Sequence, residues 1–315
     1  MPRLHPTTFF EEGKLIFRGR RKTTLHQRSL HQELDVFRSF FGTWPEICSE
    51  LWHRIDPLVN VHPKTVAKHL LWALMLMCCY ATEVVNGALA GVDEDTFRKW
   101  TTPWIRAISL LSLELVDFDM RFEGNWHYWT FCVDGKHCPI QEPRRPFWKG
   151  WFSHKYQHAG LSYEIATACT TGKIIWTNGP FPAGKWPDPK IFRRDLAHLV
   201  RTDIERGICD AGYMNCERWL YKAIWRTKKA LEEGMPRNDL HDYIRARHEQ
   251  TNGRLNKFNC LSCLFRHDIR LHTDYFHACV SVVQLEIIFG FASQFDVIPK
   301  PYVCGEEPLP QPPPA

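Results

Sequence analysis

The sequence predicts an α/β protein, a mixed β-sheet flanked by helices and preceded by an all-helical segment. Three observations carry that prediction. Apolar residues recur at helical spacing to about Glu123. From Asn125 the texture changes to short runs rich in aromatic and β-branched residues, bounded by glycine turns. Helical spacing then alternates with further short strands, in the order strand, hairpin, helix, strand, helices.

The bulk properties suit this class. The chain has 315 residues, 44% hydrophobic and 24% charged, enough for a sizeable core and unlike a disordered chain. Lys+Arg number 40 against 35 Asp+Glu, and an excess of +5 is too mild to identify a nucleic-acid partner. Its distribution says more: basic residues crowd at Arg18–Lys22 and Arg245–Lys257, with Arg193, Arg194, Lys228 and Lys229 between them. Such clusters track phosphates or form solvated helix faces. Met1–Glu12 lacks the apolar core and cleavage site of a secretory signal. The apolar run Leu70–Tyr80 is shorter than the ~20 residues a membrane crossing needs, so a buried helix and no membrane association are expected. The 12 scattered cysteines read as reduced thiols, and the 13 tryptophans as large aromatic packing surfaces.

Each element follows from local pattern. Leu30–Phe41 sets Leu34, Phe37 and Phe41 on one side of a helix. Pro63 opens a second, through Ala67, Leu70, Leu71, Leu74 and Met77. Glu83–Ala90 ends at Gly91, and Asp93 or Asp95 caps the next helix before Phe97 and Trp100. Two short helices about a glycine turn fit a helix-turn-helix reading head or a plain helical subdomain. Trp126–Val133 reads as a strand that ends at Asp134-Gly135, and Thr171-Gly172 turns a hairpin between Leu161–Thr170 and Lys173–Thr177. Asp188 caps a helix through Ile191, Phe192, Leu196 and Leu199, with Pro189 in its first turn. Gly207–Cys209 is a strand that ends at Asp210-Ala211-Gly212. Helices are expected near Glu217–Glu232, Leu240–Phe258 and Tyr275–Phe289, and the proline-rich Pro299–Ala315 as a disordered tail. The expected divisions are 1–30, a basic N-terminal segment; 31–123, helical; 124–298, the α/β domain; and 299–315, the tail.

Three acids stand out. Asp134 and Asp210 each lie where an apolar strand meets a glycine-containing turn, and strand ends bring distant side chains together. Glu249 shares a polar helix face with Arg245, Asn252, Gly253 and Asn256. A helical glycine costs roughly 1 kcal/mol against alanine, so Gly253 wants a reason, and room for an approaching group is one. Three such carboxylates can hold two Mg²⁺ ions. Singly, each acid is equally a turn or surface residue. Cys260, Cys263, His267 and His272 are spaced loosely like a zinc site, but the interleaved Leu261, Leu264, Phe265 and Ile269 favour buried thiols.

The segments Val133-Asp134-Gly135-Lys136-His137-Cys138-Pro139-Ile140, Trp151-Phe152-Ser153-His154-Lys155-Tyr156 and Gly179-Pro180-Phe181-Pro182-Ala183-Gly184 resemble DDE-superfamily transposases of the Harbinger and insertion-sequence-5 type. So do Asp188-Pro189-Lys190-Ile191-Phe192-Arg193, Asp210-Ala211-Gly212-Tyr213 and Arg247-His248-Glu249-Gln250-Thr251-Asn252-Gly253-Arg254-Leu255. The match runs in order from about Phe131 to Phe289 and is more specific than any one motif. It implies a ribonuclease H-like fold and a metal-dependent DNA endonuclease, with Mg²⁺ or Mn²⁺ as cofactor and double-stranded DNA as partner. Asp134, Asp210 and Glu249 are then the catalytic acids and metal ligands. Asp188 also matches a family motif and is kept as the alternative ligand, its cap position being the competing explanation. His137, Arg245, Arg247, Arg254 and Lys257 are the candidates for DNA contact. Met214 stands where the family often has proline. The resemblance leaves room for an accessory DNA-binding protein and for self-association, and implies nuclear localisation in a eukaryote and cytoplasmic otherwise. Its alternative is a domesticated descendant that binds DNA or a protein without cutting.

Overall fold

In the computed structural model the apolar run beginning at Leu70 lies in a helix, Ala67–Cys79, whose side chains are buried almost all round. That is the expected solution for a run too short for a bilayer, and no helix among the described residues is long and apolar enough to cross a membrane. The structure describes residues 3–18, 29–55, 64–124, 129–143, 149–222 and 239–291. Pro63, Lys228, Lys229, the tail from Pro299 and most of the basic run Arg18–Lys22 lie outside these, as does most of the helix expected at Glu217–Glu232.

The chain divides into two units, the first comprising Met1–Leu115, Cys138–Gln141 and Gly253–Phe291. Among the described residues its N-terminal part forms helices alone: α1 (Pro6–Arg18), α2 (Leu30–Phe41), α3 (Pro45–Ile55), α4 (Ala67–Cys79), α5 (Glu83–Ala90), α6 (Glu94–Leu110) and α7 (Ser112–Leu115). Ser29 and Gln32 form a reciprocal capping box on α2, which closes at Gly42 in the left-handed conformation. Of the two candidate caps for α6, Asp93 is used, accepting from the Thr96 N–H at 2.8 Å. The helix His272–Ile288 packs on α6, and Glu286 within it is buried, accepting from the Thr43 hydroxyl and from Arg254. Cys260 is buried, its sulfur 3.6 Å from that of Cys279, while His267 bonds the Tyr80 hydroxyl. Of the loosely zinc-like residues, Cys260 and His267 are thus engaged in packing and hydrogen bonding, and Cys263 is exposed.

The second unit is Val116–His137, Glu142–Asn252 and Ala292–Ala315. Its strands are β1 (Trp129–Pro139), β2 (Phe152–Ser153), β3 (His158–Ala168), β4 (Ile174–Pro182), β5 (Arg206–Cys209) and β6 (Leu220–Lys222). They form a mixed sheet in the order β2-β3-β1-β5-β6, with β4 also paired to β3. β1, β5 and β6 run parallel, while β3 is antiparallel to β2 and β4. Side chains alternate between the two faces of a strand. Phe131, Val133, Ala166, Ala168 and Cys209 meet Phe192 of α8 (Asp188–Arg194) on one face. Cys132 and Ile208 meet Ile244 of α9 (Asp239–Asn256) on the other. Helices therefore cover both faces of a curled mixed sheet, the α/β architecture expected.

Three local expectations need correction. β1 continues through Asp134 to Pro139, with Lys136 and Cys138 still buried alternately, so Asp134 lies within a strand and not at its end. Leu220–Lys222 is a strand, since pairing with β5 outweighs a helical reading of so short a stretch. Asp188 is the first helical residue of α8 and no cap; Pro187 holds the cap position.

One buried ion pair ties these strands together. Arg121, in the 3₁₀ turn Phe118–Phe122, donates to both oxygens of Glu205, at 2.9 and 3.1 Å, and both side chains are buried. Glu205 precedes β5 and also accepts from the Thr130 hydroxyl of β1 (2.6 Å) and the Arg201 N–H (2.9 Å). Removing one member strands the other charge in the interior, which costs about 3–5 kcal/mol. Arg121→Met or Glu205→Ala should lower stability to urea by that amount, read from tryptophan fluorescence; a loss under about 1 kcal/mol, the scale of an exposed pair, would show that the clamp is dispensable.

Candidate active site

Register brings the two strand acids together. Phe131 pairs with Gly207 and Cys132 with Ile208; continuing past the end of β5 sets Asp134 level with Asp210. Neighbouring strands lie about 4.8 Å apart. By alternation both acids fall on the face shared with Cys132 and Ile208, the face that α9 covers. Each carboxylate is held locally by a glycine N–H, Gly135 to Asp134 Oδ1 at 2.8 Å and Gly212 to Asp210 Oδ1 at 2.9 Å.

Asp188 approaches from the other face. Gly135 alternates with Phe131 and Val133 toward α8, and a Cβ at Gly135 would run into the Asp188 carboxyl. Glycine at 135 is therefore the vacancy that lets Asp188 lie against β1 beside Asp134. The three acids act on one another. Burial first, with the charges of Asp210 and Asp188 adding, pushes the Asp134 carboxyl up to about 6, against the pull of the Gly135 N–H and Lys155. Burial and Asp210 likewise raise Asp188, which Lys155 opposes.

Glu249 stands apart from this crowd. Its helix is anchored by Arg247, whose buried guanidinium donates to the carbonyls of Cys169 and Thr170, and by His248, whose Nδ1 lies 3.0 Å from the Thr167 hydroxyl. Both partners belong to β3 and the turn after it. The Glu249 side chain is 64% exposed and accepts from Arg245 at 3.3 Å. A Cβ at Gly253 would meet nothing within 4 Å, so no crowding in the chain itself demands that glycine.

The expected DNA-contact residues divide. Arg245 is half-buried and Lys257 exposed. Arg247 is buried, and Arg254 pairs with Glu286 at 3.2 Å, so both guanidinium groups are engaged within the fold. His137 stacks on Tyr156, ring centroids 4.1 Å apart, with Nε2 3.3 Å from Nδ1 of His158. Gly160 leaves the space its ring occupies, and burial lowers its pKa to about 4.

Two features escaped the sequence reading. On the α8 face, Glu164 of β3 is buried, bonded by the Trp176 indole N–H at 2.9 Å through Oε1, while Oε2 has no hydrogen-bond partner. The Tyr213 hydroxyl nearby is also buried and without one. The only signals were a charge inside an apolar strand and an aromatic after Asp210-Ala211-Gly212. The second feature is a cationic and aromatic patch: Lys190 lies 4.2 Å over the Trp186 ring, and Arg194 5.2 Å from the rings of Phe181 and Trp186. Lys190, Arg193 and Arg194 are exposed on the same short helix whose first residue is Asp188.

By chemical type the acids suit a hard divalent cation, since carboxylate oxygens are its preferred ligands and like charges near one another are what such a cation neutralises. The cradle at Gly135 brings a third acid to the Asp134 and Asp210 pair. Among the described residues no three His, Cys, Asp or Glu side chains are arranged closely enough to hold one ion.

Residues 133–284 match the family of DDE superfamily endonucleases. No curated protein and no solved structure matches the chain.

Burial raises Glu164 to about 8, against its bond to Trp176, and the charges of Asp188 and Asp195 add to the rise. A carboxyl raised in the folded state favours folding while protonated, so this contribution is complete below about pH 4.5 and is lost as pH rises through about 8. Urea stability of the metal-free protein should therefore fall as pH rises to about 8, and Glu164→Gln, which stays neutral and keeps an acceptor for Trp176, should flatten that fall. A profile of wild-type steepness in the variant would exclude Glu164 as its source.

Proposed function

We propose that residues 133–284, a DDE-type transposase or endonuclease domain by their family match, hydrolyse phosphodiester bonds of double-stranded DNA with divalent metal, and join the freed 3′ end to a target. The observation that carries the reading is the convergence of Asp134, Asp210 and Asp188 on one part of the sheet, with their charges acting on one another. Asp134, Asp210 and Glu249 are the proposed ligands of Mg²⁺ or Mn²⁺, with Asp188 beside them. Such ions, when bound, activate a water or hydroxyl and stabilise the departing oxygen.

The chain's own groups prepare the reaction. The N–H groups of Gly135 and Gly212 orient the two strand carboxylates. Burial keeps bulk water from screening them. Arg245 draws Glu249 along the helix. For the DNA backbone, Lys190 and Arg194 offer exposed cations on the helix that begins with Asp188. With Arg247 and Arg254 engaged inside the fold, this patch joins Arg245 and Lys257 as proposed phosphate contacts.

A second reading, a descendant that binds DNA without cutting it, is favoured by one observation. Glu249 is exposed and paired with Arg245, and no three acids among the described residues are set to hold an ion.

Nicking of supercoiled plasmid in Mg²⁺, set beside DNA retention in a gel, separates the two. On the first reading Asp134→Asn, Asp210→Asn and Glu249→Gln each cut at least about 100-fold more slowly than wild type, since loss of a ligand costs at least as much as loss of a residue supporting one. Retention persists in all three. Wild type that retains DNA but never nicks it establishes the second reading. Lys190→Gln with Arg194→Gln should weaken retention of every sequence alike and flatten its salt dependence by a slope of roughly 0.9 per lost phosphate contact. An unchanged slope makes the patch an ordinary solvated face.

A further inference from the structure

Buried hydroxyl and carboxyl groups without partners are rare, because each forfeits its bond to water and gains none in return. Two occur on the α8 face of the sheet. The Tyr213 hydroxyl and Glu164 Oε2 are both buried and unbonded. Asp188, Glu164 and Asp134 are the charges that act most on Tyr213, and Asp188 also acts on Glu164. Packing fixes the phenol ring: Tyr213 is fully buried, edge-on to Phe192 of α8 at 6.1 Å between centroids, and its N–H reaches the Asp210 carbonyl at 3.4 Å. A rigid ring holds its O–H in one place, beside acids that accept and do not donate when ionised.

We propose that Tyr213 is a positioning residue for the acid cluster, its hydroxyl serving as the donor that holds Asp188 toward bound divalent cation, with Glu164 closing the same buried polar group from β3. This rests on the reading of the cluster as a divalent-cation site. A carboxylate that ligates a cation is itself hydrogen-bonded, and the Tyr213 hydroxyl is a buried donor without a partner on the α8 face. Gly135 gives Asp188 its place, Tyr213 its orientation, and Trp176 keeps Glu164 turned inward.

The test is Mn²⁺ binding to the metal-free full chain, followed by the electron paramagnetic resonance signal of free Mn²⁺, together with thermal unfolding without metal. Tyr213→Phe removes one oxygen and keeps the ring. The expected result is Mn²⁺ affinity about tenfold weaker, the scale for groups that support a ligand, with a thermal midpoint equal to or above that of wild type, because an unsatisfied hydroxyl has gone. In an Asp188→Asn background the same change should have no further effect on Mn²⁺ affinity. Equal Mn²⁺ affinity of Tyr213→Phe and wild type overturns the proposal and leaves the cation site standing. An undiminished effect in the Asp188→Asn background overturns the route through Asp188. Wild type that binds no Mn²⁺ overturns the cation site and this proposal together.

Discussion

The parallel pairing of β1 with β5 is the constraint on which the rest of the second unit depends. Continued one residue past β5, its register sets Asp134 level with Asp210, and a slip of one residue would send the Asp134 side chain to the opposite face. The register is secured by the ion pair below it. Glu205 accepts from Arg121, from Thr130 of β1 and from the N–H of Arg201, so one buried carboxylate joins the strand, the turn before it and the approach to β5. A buried charge with several matched donors specifies position more than it adds stability. Here the position is that of the acids higher on the same strands.

Those acids sit badly as isolated ions. Burial and mutual repulsion raise Asp134 to about 6 and raise Asp188 as well. A fold selected for stability alone would not bring three carboxylates within reach of one another's charge. The arrangement is intelligible if something positive completes it, and the proposed cation is the simplest such group. Glu249, carried on a helix tied to the sheet by Arg247 and His248 only two and one residues before it, is the exposed acid of the set. Its present partner, Arg245, lies one helical turn away and is half-buried.

Much of this was legible in the sequence, for physical reasons that differ by residue. The helix Leu30–Phe41 follows from periodicity, and the short apolar strand before Asp210 lies where expected. So does the α4 run, which is too apolar for any surface. Leu220–Lys222 was misread because three residues carry no period, and only a neighbouring strand defines them. Asp188 looked like a cap because capping depends on residue type and position. Its actual neighbour, Gly135, is distant in sequence and supplies only an absence of atoms. Arg247 and Arg254 read as solvent-facing cations, yet carbonyl groups in one case and Glu286 in the other claim them. Charge count alone does not tell a phosphate-seeking guanidinium from a structural one. Glu164 and Tyr213 lay in plain text but without pattern, since burial of a polar group is a property of the packed state.

The contact between Gly135 and Asp188 links the two positions in heredity. A side chain at 135 and a carboxylate lying against it exclude one another, so the acid at 188 keeps its place only while 135 is glycine. A lineage with no further use for an acid at 188 is released at 135 as well, and alanine, the commonest small replacement, is then admitted at little cost. Conversely, a chain that retains both residues has kept a space whose only occupant is a carboxylate. A change at 135 therefore displaces the acid at 188, whereas glycine at 135 does not by itself demand that acid.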